Sequence, residues 1–225
     1  MNIHEMLQTQ PEYNTEELKI RDRWNSIFRE EGFITDIDKT LPKIVDFFKN
    51  QGVKRIMDLG CGAGRHTVYL AQRKFEVYGI DIAEEGIKRA KNLLHEKNLL
   101  GTLTIGSIHN PLPYDDNFFD SVISIRVIHH GRIESIQRII KEMERVTRPG
   151  GYIYVTVRKR PRKQWGSFKM IAPQTYVKLD GREKDIIHYQ FTRRSLREEF
   201  KNFKIKHISV AEGYYCLLAK TSMRG

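Results

Sequence analysis

The sequence predicts an α/β fold, in which a parallel sheet carries helices on both faces and ends in an antiparallel C-terminal hairpin. From residue 53 to 157, short β-rich runs alternate with stretches of helical spacing, which is the pattern of βαβ units. A glycine-rich turn directly follows the first run. The last two runs, 203–210 and 214–220, are too close together for a crossover helix, so they predict a hairpin. The length of 225 residues suits a single domain.

Two helices are expected ahead of the sheet, as an N-terminal cap over residues 1–50. Thr15 and Thr40 are the predicted N-cap residues, and Gly32 and Gly52 are the stop signals. The core that follows spans residues 53–157. Its predicted strands lie at 55–59, 76–80, 103–105, 121–125 and 152–157.

The periodicity fails between residues 158 and 191, in a segment too long for a passive connection. This segment is either a lid or disordered. Its aromatic residues favour some burial, and therefore a lid or substrate insertion: Trp165, Phe168, Tyr176 and Tyr189. The last helix and the hairpin complete the predicted domain at 192–221.

The formal net charge of +11 is concentrated late in the chain. Residues 158–206 contain 15 Lys and Arg against 5 Asp and Glu, a net charge of +10. A localised basic surface indicates an anionic partner such as nucleic acid. A solvated basic surface that aids solubility explains the same charge equally well.

Membrane and metal sites are not expected from the sequence. No apolar run approaches the ~18 residues of a membrane span, and the first residues lack the profile of a signal peptide, so we expect a cytoplasmic protein. Only two cysteines occur, Cys61 and Cys216, which argues against a disulfide framework or a cysteine metal site. Asp115 and Asp116 have no spacing suited to a metal.

The glycine-rich turn lies in IMDLGCGAGRHTVYLA, residues 56–71. Gly60, Gly62 and Gly64 would let the backbone approach a ligand closely, and the next helix would offer N–H groups to an anion. A tight strand–helix turn without a ligand could use the same glycines. The spacing differs from G-x-G-x-x-G and Asp58 would repel a pyrophosphate, so an NAD-dependent oxidoreductase is disfavoured.

A ligand with an ammonium group beside a carboxylate fits this turn better. Asp58 would balance the ammonium group, and backbone N–H groups would meet the carboxylate. Asp81 follows roughly 20 residues after the loop, where an acid accepts hydrogen bonds from ribose hydroxyls. An amino acid joined to a ribonucleoside describes S-adenosylmethionine, which is the predicted cofactor.

Four segments resemble, in order, the motifs of class I S-adenosylmethionine-dependent methyltransferases, most closely the type 11-like group. They are DLGCGAG, VYGIDIA, NPLPYDDNFFDSVISIRVIHH and RVTRPGGYIYVTV. The resemblance covers residues 53–157 and implies the Rossmann-like class I methyltransferase fold, which the final hairpin also fits.

The resemblance also implies a set of cofactor-binding residues. The glycines would border the methionine portion, with Asp58 near its ammonium group, Asp81 on the ribose and Ile82 beside the adenine. The family often has an acid where this chain has Ser107 and Ile108. The full set is Asp58, Gly60, Cys61, Gly62, Gly64, Asp81, Ile82, Ser107, Ile108 and Arg126.

Catalysis is expected after the fourth strand and in the insertion. The resemblance places residues 126–130 close to the sulfonium. The segment QTYVKLDGREKDIIHYQFTRRSLREEF is similar, more weakly, to one in some poorly characterised type 11 members, which implies that His188 and Tyr189 belong to a substrate pocket. His129, His130 and His188 are candidate general bases, because an unperturbed pKa near 6.5 suits that task. Packing or a surface position is the alternative for each histidine.

The sequence therefore predicts a methyltransferase that acts on a small-molecule acceptor by in-line transfer, with His129, His188 and Tyr189 as catalytic residues. The alternative is a tRNA-modifying enzyme, since basic residues interleaved with aromatic residues can hold single strands. A non-catalytic partner subunit with the same fold is less favoured, because the glycine loop and Asp81 are intact. Tyr13 and Trp24 are expected to close over the cofactor, although core packing explains Trp24 as well.

Overall fold

The computed structural model describes residues 15–30, 36–160 and 167–223. Its main sheet has seven strands in the order β3-β2-β1-β4-β5-β10-β9. These are β1 (Arg55–Leu59), β2 (Glu76–Asp81), β3 (Thr102–Ile105), β4 (Phe119–Ile125), β5 (Thr147–Arg158), β9 (Lys204–Ala211) and β10 (Tyr214–Lys220). The helices are α1 (Thr15–Arg29), α2 (Leu41–Asn50), α3 (Arg65–Ala71), α4 (Glu84–Glu96), α5 (Ile133–Val146) and α6 (Arg193–Glu199).

The first five strands are parallel, and the order of the sheet reverses at β1. From β1 the chain builds outward through β2 and β3 on one side, and then through β4 and β5 on the other. Such a reversal leaves a crevice outside the carboxyl ends of the strands, where α/β proteins bind their ligands. The last two strands form the predicted hairpin, with β10 antiparallel to both β5 and β9. The predicted fold class is confirmed.

Alternating residues of the strands feed two apolar clusters on opposite faces of the sheet. Met57 lies in one cluster and its neighbour Ile56 in the other, as the period of two in a strand requires. Helix α5 covers the first cluster through Ile140 and Met143, which share one face at helical spacing. Helix α2 covers the second through Phe48. Burial of these side chains holds the helices on the two faces of the sheet. The crevice therefore lies at the edge formed by the carboxyl ends of the strands.

The N-terminal helices differ from expectation at their caps. Helix α1 begins at Thr15, the first residue of this described segment, and Gly32 and Tyr13 lie outside the described residues. Thr40 stands at the N-cap position of α2, but its side chain makes no cap hydrogen bond. Its hydroxyl contacts Asp38 and Tyr154 instead. Thr40 therefore holds the predicted N-cap position, but Asp38 and Tyr154 take the hydrogen bonds of its side chain.

Residues 168–189 form a second, three-stranded antiparallel sheet in the order β6-β7-β8. The strands are β6 (Phe168–Ala172), β7 (Thr175–Lys178) and β8 (Ile187–Tyr189). Tyr176 and Tyr189 are buried and Phe168 is half-buried, whereas Trp165 lies outside the described residues. After this insertion, Thr192 caps α6 by accepting the Ser195 N–H at 3.0 Å. Among the helices described, none has the length and apolar character needed to cross a membrane.

Gly64 is required by packing between helices. Its φ of +82° is left-handed, and a Cβ there would lie 2.6 Å from Ala90 Cβ in α4. We therefore expect Gly64→Ala to lower the free energy of unfolding by about 2–4 kcal/mol, from backbone strain plus overpacking. Gly52→Ala is the matched control, since Gly52 has φ +68° and nothing within 4 Å. Urea unfolding should give a loss of only ~1 kcal/mol for the control, and equal losses would contradict the packing role.

Candidate functional site

A cavity of about 250 Å³ lies at the carboxyl ends of β1, β2 and β4. A single water needs only about 10–15 Å³, so the cavity has room for a ligand. Its lining residues fall into two groups, named here the glycine-loop end and the histidine end. The glycine-loop end is formed by Gly60, Cys61, Gly62, Asp81, Ile82, Ser107 and Ile108. The histidine end is formed by Trp24, His109, His129, His130, Arg182, Glu183, Ile186 and Ile187.

Like Gly64, the other two loop glycines are pressed against neighbouring elements. A Cβ on Gly60 would lie 2.4 Å from Val127 Cγ1, and one on Gly62 would lie 2.9 Å from Phe28 Cζ. Both residues have positive φ and line the cavity. The loop N–H groups are already engaged: those of Gly60 and Cys61 donate to the Ile80 carbonyl at 2.9 and 3.0 Å. Glycine is needed at these two positions mainly because neighbouring side chains lie too close to leave room for a Cβ.

Asp81 joins the glycine loop to the end of β2. Its carboxylate accepts the Gly62 N–H at 2.8 Å and the Ala83 N–H at 2.9 Å. Burial raises the pKa of Asp81 to about 6, although these hydrogen bonds oppose the shift. Asp81 and the following Ile82 both line the cavity. A carboxylate fixed in this way retains lone pairs that can accept hydrogen bonds from a ligand.

Asp58 and Gly64 are not on the cavity wall, although both were predicted to bind the cofactor. Asp58 is 1% exposed and accepts a hydrogen bond from the Thr67 hydroxyl at 2.7 Å. Gly64 faces α4, as its contact with Ala90 shows. The family resemblance placed both residues beside the methionine portion of the cofactor, whereas the fold turns them into the layer behind the loop.

Arg65 is a cavity-lining cation that the sequence analysis missed. Since the Gly60, Cys61, Gly62 and Gly64 N–H groups are hydrogen-bonded within the loop region, a ligand carboxylate needs another donor there. Arg65 directly follows the third glycine, and this position was the available signal. Arg126 also lines the cavity, but its guanidinium pairs with Asp38 and Glu212 at 3.3 and 2.7 Å. It therefore anchors the loop after β4.

Helix α1 completes the far side of the glycine-loop end. The Ser107 hydroxyl donates to Glu17 Oε1 at 2.6 Å, and Glu16 lines the cavity. The helix is tied to α4, because Asn25 Oδ1 accepts the Glu85 N–H at 3.0 Å. The acid that the sequence lacks beside Ser107 is thus supplied from α1, 90 residues earlier in the chain.

Strand β8 closes the histidine end by pairing with the loop after β4. The Gly131 N–H donates to the Ile187 carbonyl at 2.9 Å, and the Tyr189 N–H donates to the His129 carbonyl at 2.8 Å. This pairing sets His188 beside His129 and His130, so that a ring nitrogen from each lies within 4.8 Å of the others. His129 and His130 line the cavity, whereas His188, predicted to belong to a substrate pocket, is fully buried and is not among the residues that line it.

Tyr189 does not face the cavity, although it was predicted to be catalytic. It is buried in the apolar cluster of α5 and α6, with its ring 4.8 Å from that of Phe191. Its hydroxyl accepts a hydrogen bond from Gln174 Nε2 at 3.0 Å. Since successive strand residues point to opposite faces, His188 and Tyr189 cannot both reach the cavity.

The three clustered histidines are weaker bases than an unperturbed histidine, which the sequence did not reveal. Burial, reinforced by the neighbouring histidines and Arg158, lowers the pKa of His129 well below its usual value. Burial also lowers the pKa of His130 to about 4 and that of His188 to about 2. All three rings are therefore neutral at pH 7. A base with so low a pKa accepts a proton poorly, which argues against the predicted general-base role.

Trp24 and the insertion narrow the mouth of the histidine end. The Trp24 ring lies 5.2 Å from that of His130. Arg23 Nη2 donates to the Gly181 carbonyl at 2.8 Å, and Arg182 pairs with Glu30 at 3.1 Å. Helix α1 and the β7–β8 connection thus meet across the cavity. The sequence had linked Trp24 to the cofactor or the core, whereas the structure places it at the histidine end.

Residues 57–155 match the family model described as a methyltransferase domain. This segment of the chain resembles a methyltransferase domain. The chain is 36% identical over 108 residues to an uncharacterized methyltransferase of Schizosaccharomyces pombe, covering 44% of this chain and 38% of the relative. It is 30% identical over 146 residues to the probable tRNA methyltransferase 9B of Mus musculus, covering 63% of this chain and 31% of the relative. The chain therefore spans less than half the length of these relatives.

The fold of this methyltransferase domain is shared with solved structures. One is the 1,6-didemethyltoxoflavin-N1-methyltransferase of Burkholderia thailandensis, with bound 1,6-didemethyltoxoflavin and S-adenosylhomocysteine. It has a TM-score of 0.70 at 17% identity, covering 95% of this chain and 93% of that protein. The predicted resemblance and the predicted Rossmann-like class I methyltransferase fold are confirmed.

Asp58, buried behind the glycine loop, tests how the raised pKa of a buried carboxyl changes the stability of the fold with pH. Burial raises its pKa from 3.8 to about 6. The protonated carboxyl is favoured in the folded state, so its stabilising contribution is complete below pH ~4 and is lost as the pH rises through ~6. We expect Asp58→Asn, which can still accept from Thr67, to be more stable than the parent at pH 7 by about 3 kcal/mol.

Urea unfolding between pH 4 and 7 measures this difference for both proteins. The advantage of Asp58→Asn should grow with pH across the window. Asp46→Asn on the exposed face of α2 is the control. An advantage that stays constant with pH would mean that the carboxyl of Asp58 is not the titrating group.

Proposed function

We propose that this protein is an S-adenosylmethionine-dependent methyltransferase that acts on a small-molecule acceptor. The observation that carries the proposal is the two-ended cavity in a methyltransferase domain. One end presents the glycine loop and Asp81, and the other presents mainly apolar and imidazole groups. When bound, S-adenosylmethionine supplies the electrophilic methyl group. The protein has to hold the two reactants in line and exclude water between them.

The glycine-loop end is our proposed cofactor site. Asp81 would accept hydrogen bonds from the ribose, and Ile82 and Ile108 would pack against the adenine. Gly60, Cys61 and Gly62 would border the methionine portion, with Arg65 as the partner of its carboxylate. Ser107, held by Glu17, would mark the adenine end. Asp58 and Arg126 would act indirectly, by supporting the loops that form the walls.

The histidine end is our proposed acceptor site. Its walls combine apolar groups from Trp24, Ile186 and Ile187 with the imidazoles of His129 and His130. An acceptor with an apolar body and one polar end would match this lining. The insertion and α1 would act as the lid, because Arg23 and Arg182 bridge them. Closing these contacts over the acceptor would exclude water from the reacting groups.

A tRNA acceptor is the second candidate, and a specific observation favours it. The similarity to the probable tRNA methyltransferase 9B spans 63% of this chain. Basic side chains are exposed on and beside the insertion, including Arg160, Lys169 and Arg194. They could contact phosphates while a single base enters the cavity. The base would have to enter the same histidine end as a small-molecule acceptor.

Asp81 tests the cofactor site. Asp81→Ala would remove hydrogen bonds to a charged acceptor, each worth roughly 1.5–3 kcal/mol. We expect the affinity for S-adenosylhomocysteine, measured by calorimetry, to fall at least ~10-fold. Glu84→Ala is the control, because this acid is exposed in the first turn of α4 and does not line the cavity. Unchanged affinity in Asp81→Ala would contradict the ribose assignment.

The choice of acceptor is tested by transfer of label and by salt dependence. The protein is incubated with methyl-labelled cofactor and separate extracts of metabolites and total RNA, and we expect label in the metabolite fraction. Binding of RNA through about four phosphates would weaken roughly fifty-fold between 50 and 200 mM salt. We expect no such steep dependence. Labelled tRNA together with a steep slope, flattened when Arg160, Lys169 and Arg194 are replaced by Gln, would support the RNA acceptor instead.

A further inference from the structure

Three imidazoles with unused nitrogens converge at the histidine end, and the proposed methyl transfer does not account for them. His129 Nδ1, His130 Nε2 and both ring nitrogens of His188 are buried. Within the described part of the chain, no group hydrogen-bonds to these atoms. Buried polar atoms are paired in folded proteins, and several unpaired atoms in one place therefore indicate a missing ligand.

The arrangement of these residues suits a metal ion. The candidate ligand atoms of His129, His130 and His188 all lie within 4.8 Å of one another. Around a tetrahedral ion with metal–nitrogen bonds of about 2.0–2.1 Å, such nitrogens would be separated by about 3.3 Å. Small rotations of the side chains would close this gap. His129 is 1% exposed and His188 is fully buried, so the ligands are shielded from solvent.

We propose that His129, His130 and His188 form a three-histidine site for a divalent transition metal, with zinc as the best fit. Three imidazoles with one open position are the ligand set of catalytic zinc sites. The open position would face the cavity, because His129 and His130 line it. The cavity also provides the path by which an ion enters. This inference goes beyond the proposed function, and it differs from the sequence-based expectation that no metal is bound.

Glu183 supplies a second observation in favour of a cation. Its carboxylate lies 3.5 Å from His188 Nε2 and 3.9 Å from Arg158 Nη2. Metal-bound histidines commonly donate their second ring N–H to a carboxylate, which fixes the tautomer and the orientation of the ring. The same carboxylate offsets the nearby positive charges of Arg158 and Lys178, which would otherwise disfavour a cation.

The backbone holds the three ligands together before any ion arrives. His130 and His188 form an antiparallel bridge, and the His129 carbonyl accepts the Tyr189 N–H. Adjacent residues of one loop and one residue of a paired strand thus supply the site. Preorganisation of this kind lowers the entropy cost of binding. A metal at this position would act on the acceptor as a Lewis acid, by binding its oxygen or nitrogen.

The test uses the tag-free full chain, treated with a chelator and then titrated with Zn²⁺ alone. Calorimetry should give one zinc ion per chain. Substitution with Co²⁺ should give the intense visible absorption of tetrahedral cobalt, a readout that requires no variant. His129→Asn, His130→Asn and His188→Asn should each weaken zinc binding by more than about a hundredfold, and Glu183→Gln by about 10–100-fold.

Controls separate this site from incidental binding and from misfolding. His207→Asn, on the exposed face of β9, should leave zinc binding unchanged. Each variant is also tested for binding of S-adenosylhomocysteine, and loss of zinc with retained cofactor binding supports the site. Zinc binding that survives in all three histidine variants would overturn the proposal. So would a parent protein that is stabilised by inorganic phosphate and not by zinc, since that outcome identifies an anion site. Neither zinc binding nor binding of S-adenosylhomocysteine depends on methyl transfer.

Discussion

The pairing of β8 with the loop after β4 is the constraint on which the histidine end of the cavity depends. Two backbone hydrogen bonds, from Gly131 to Ile187 and from Tyr189 to His129, join segments that are about 60 residues apart. Their antiparallel register decides that His188 faces His130 while Tyr189 turns into the apolar cluster of α5 and α6. Shifting the strand by one residue would exchange these two side chains and remove the histidine cluster.

The glycine-loop end of the cavity is held together by hydrogen bonds within and beside the loop. The glycine loop satisfies its own backbone groups, through the Ile80 carbonyl and the Asp81 carboxylate. Such a loop is rigid before a ligand binds, which reduces the entropy cost of ordering it. In the proposed cofactor site, recognition would therefore fall to side chains, chiefly Asp81 and Arg65 at the cavity wall. Asp58 and Gly64 lie behind the loop, where they hold α3 and α4 in position.

Burial gives the two halves opposite electrostatic characters. It raises the pKa of Asp81, so that carboxylate is kept ionised at neutral pH only with the help of its backbone hydrogen bonds. It lowers the pKa of His130 and leaves neutral imidazoles at the other end. In the proposed function the cationic cofactor would lie beside the acid Asp81. The neutral imidazoles at the other end would keep lone pairs available for an acceptor or a metal ion.

The sequence by itself determined the fold class, the C-terminal hairpin and the position of the glycine loop. Period-two runs and the DLGCGAG segment are local signals, and β1 and β10 match their predicted bounds because apolar alternation and turn residues both act over a few positions. Only the tertiary structure decided which loop residues face the cavity. Asp58 and Asp81 both end apolar runs, yet only Asp81 reaches the wall. The same holds for the histidines, whose proximity and altered basicity arise from burial and long-range pairing, which a local pattern does not encode.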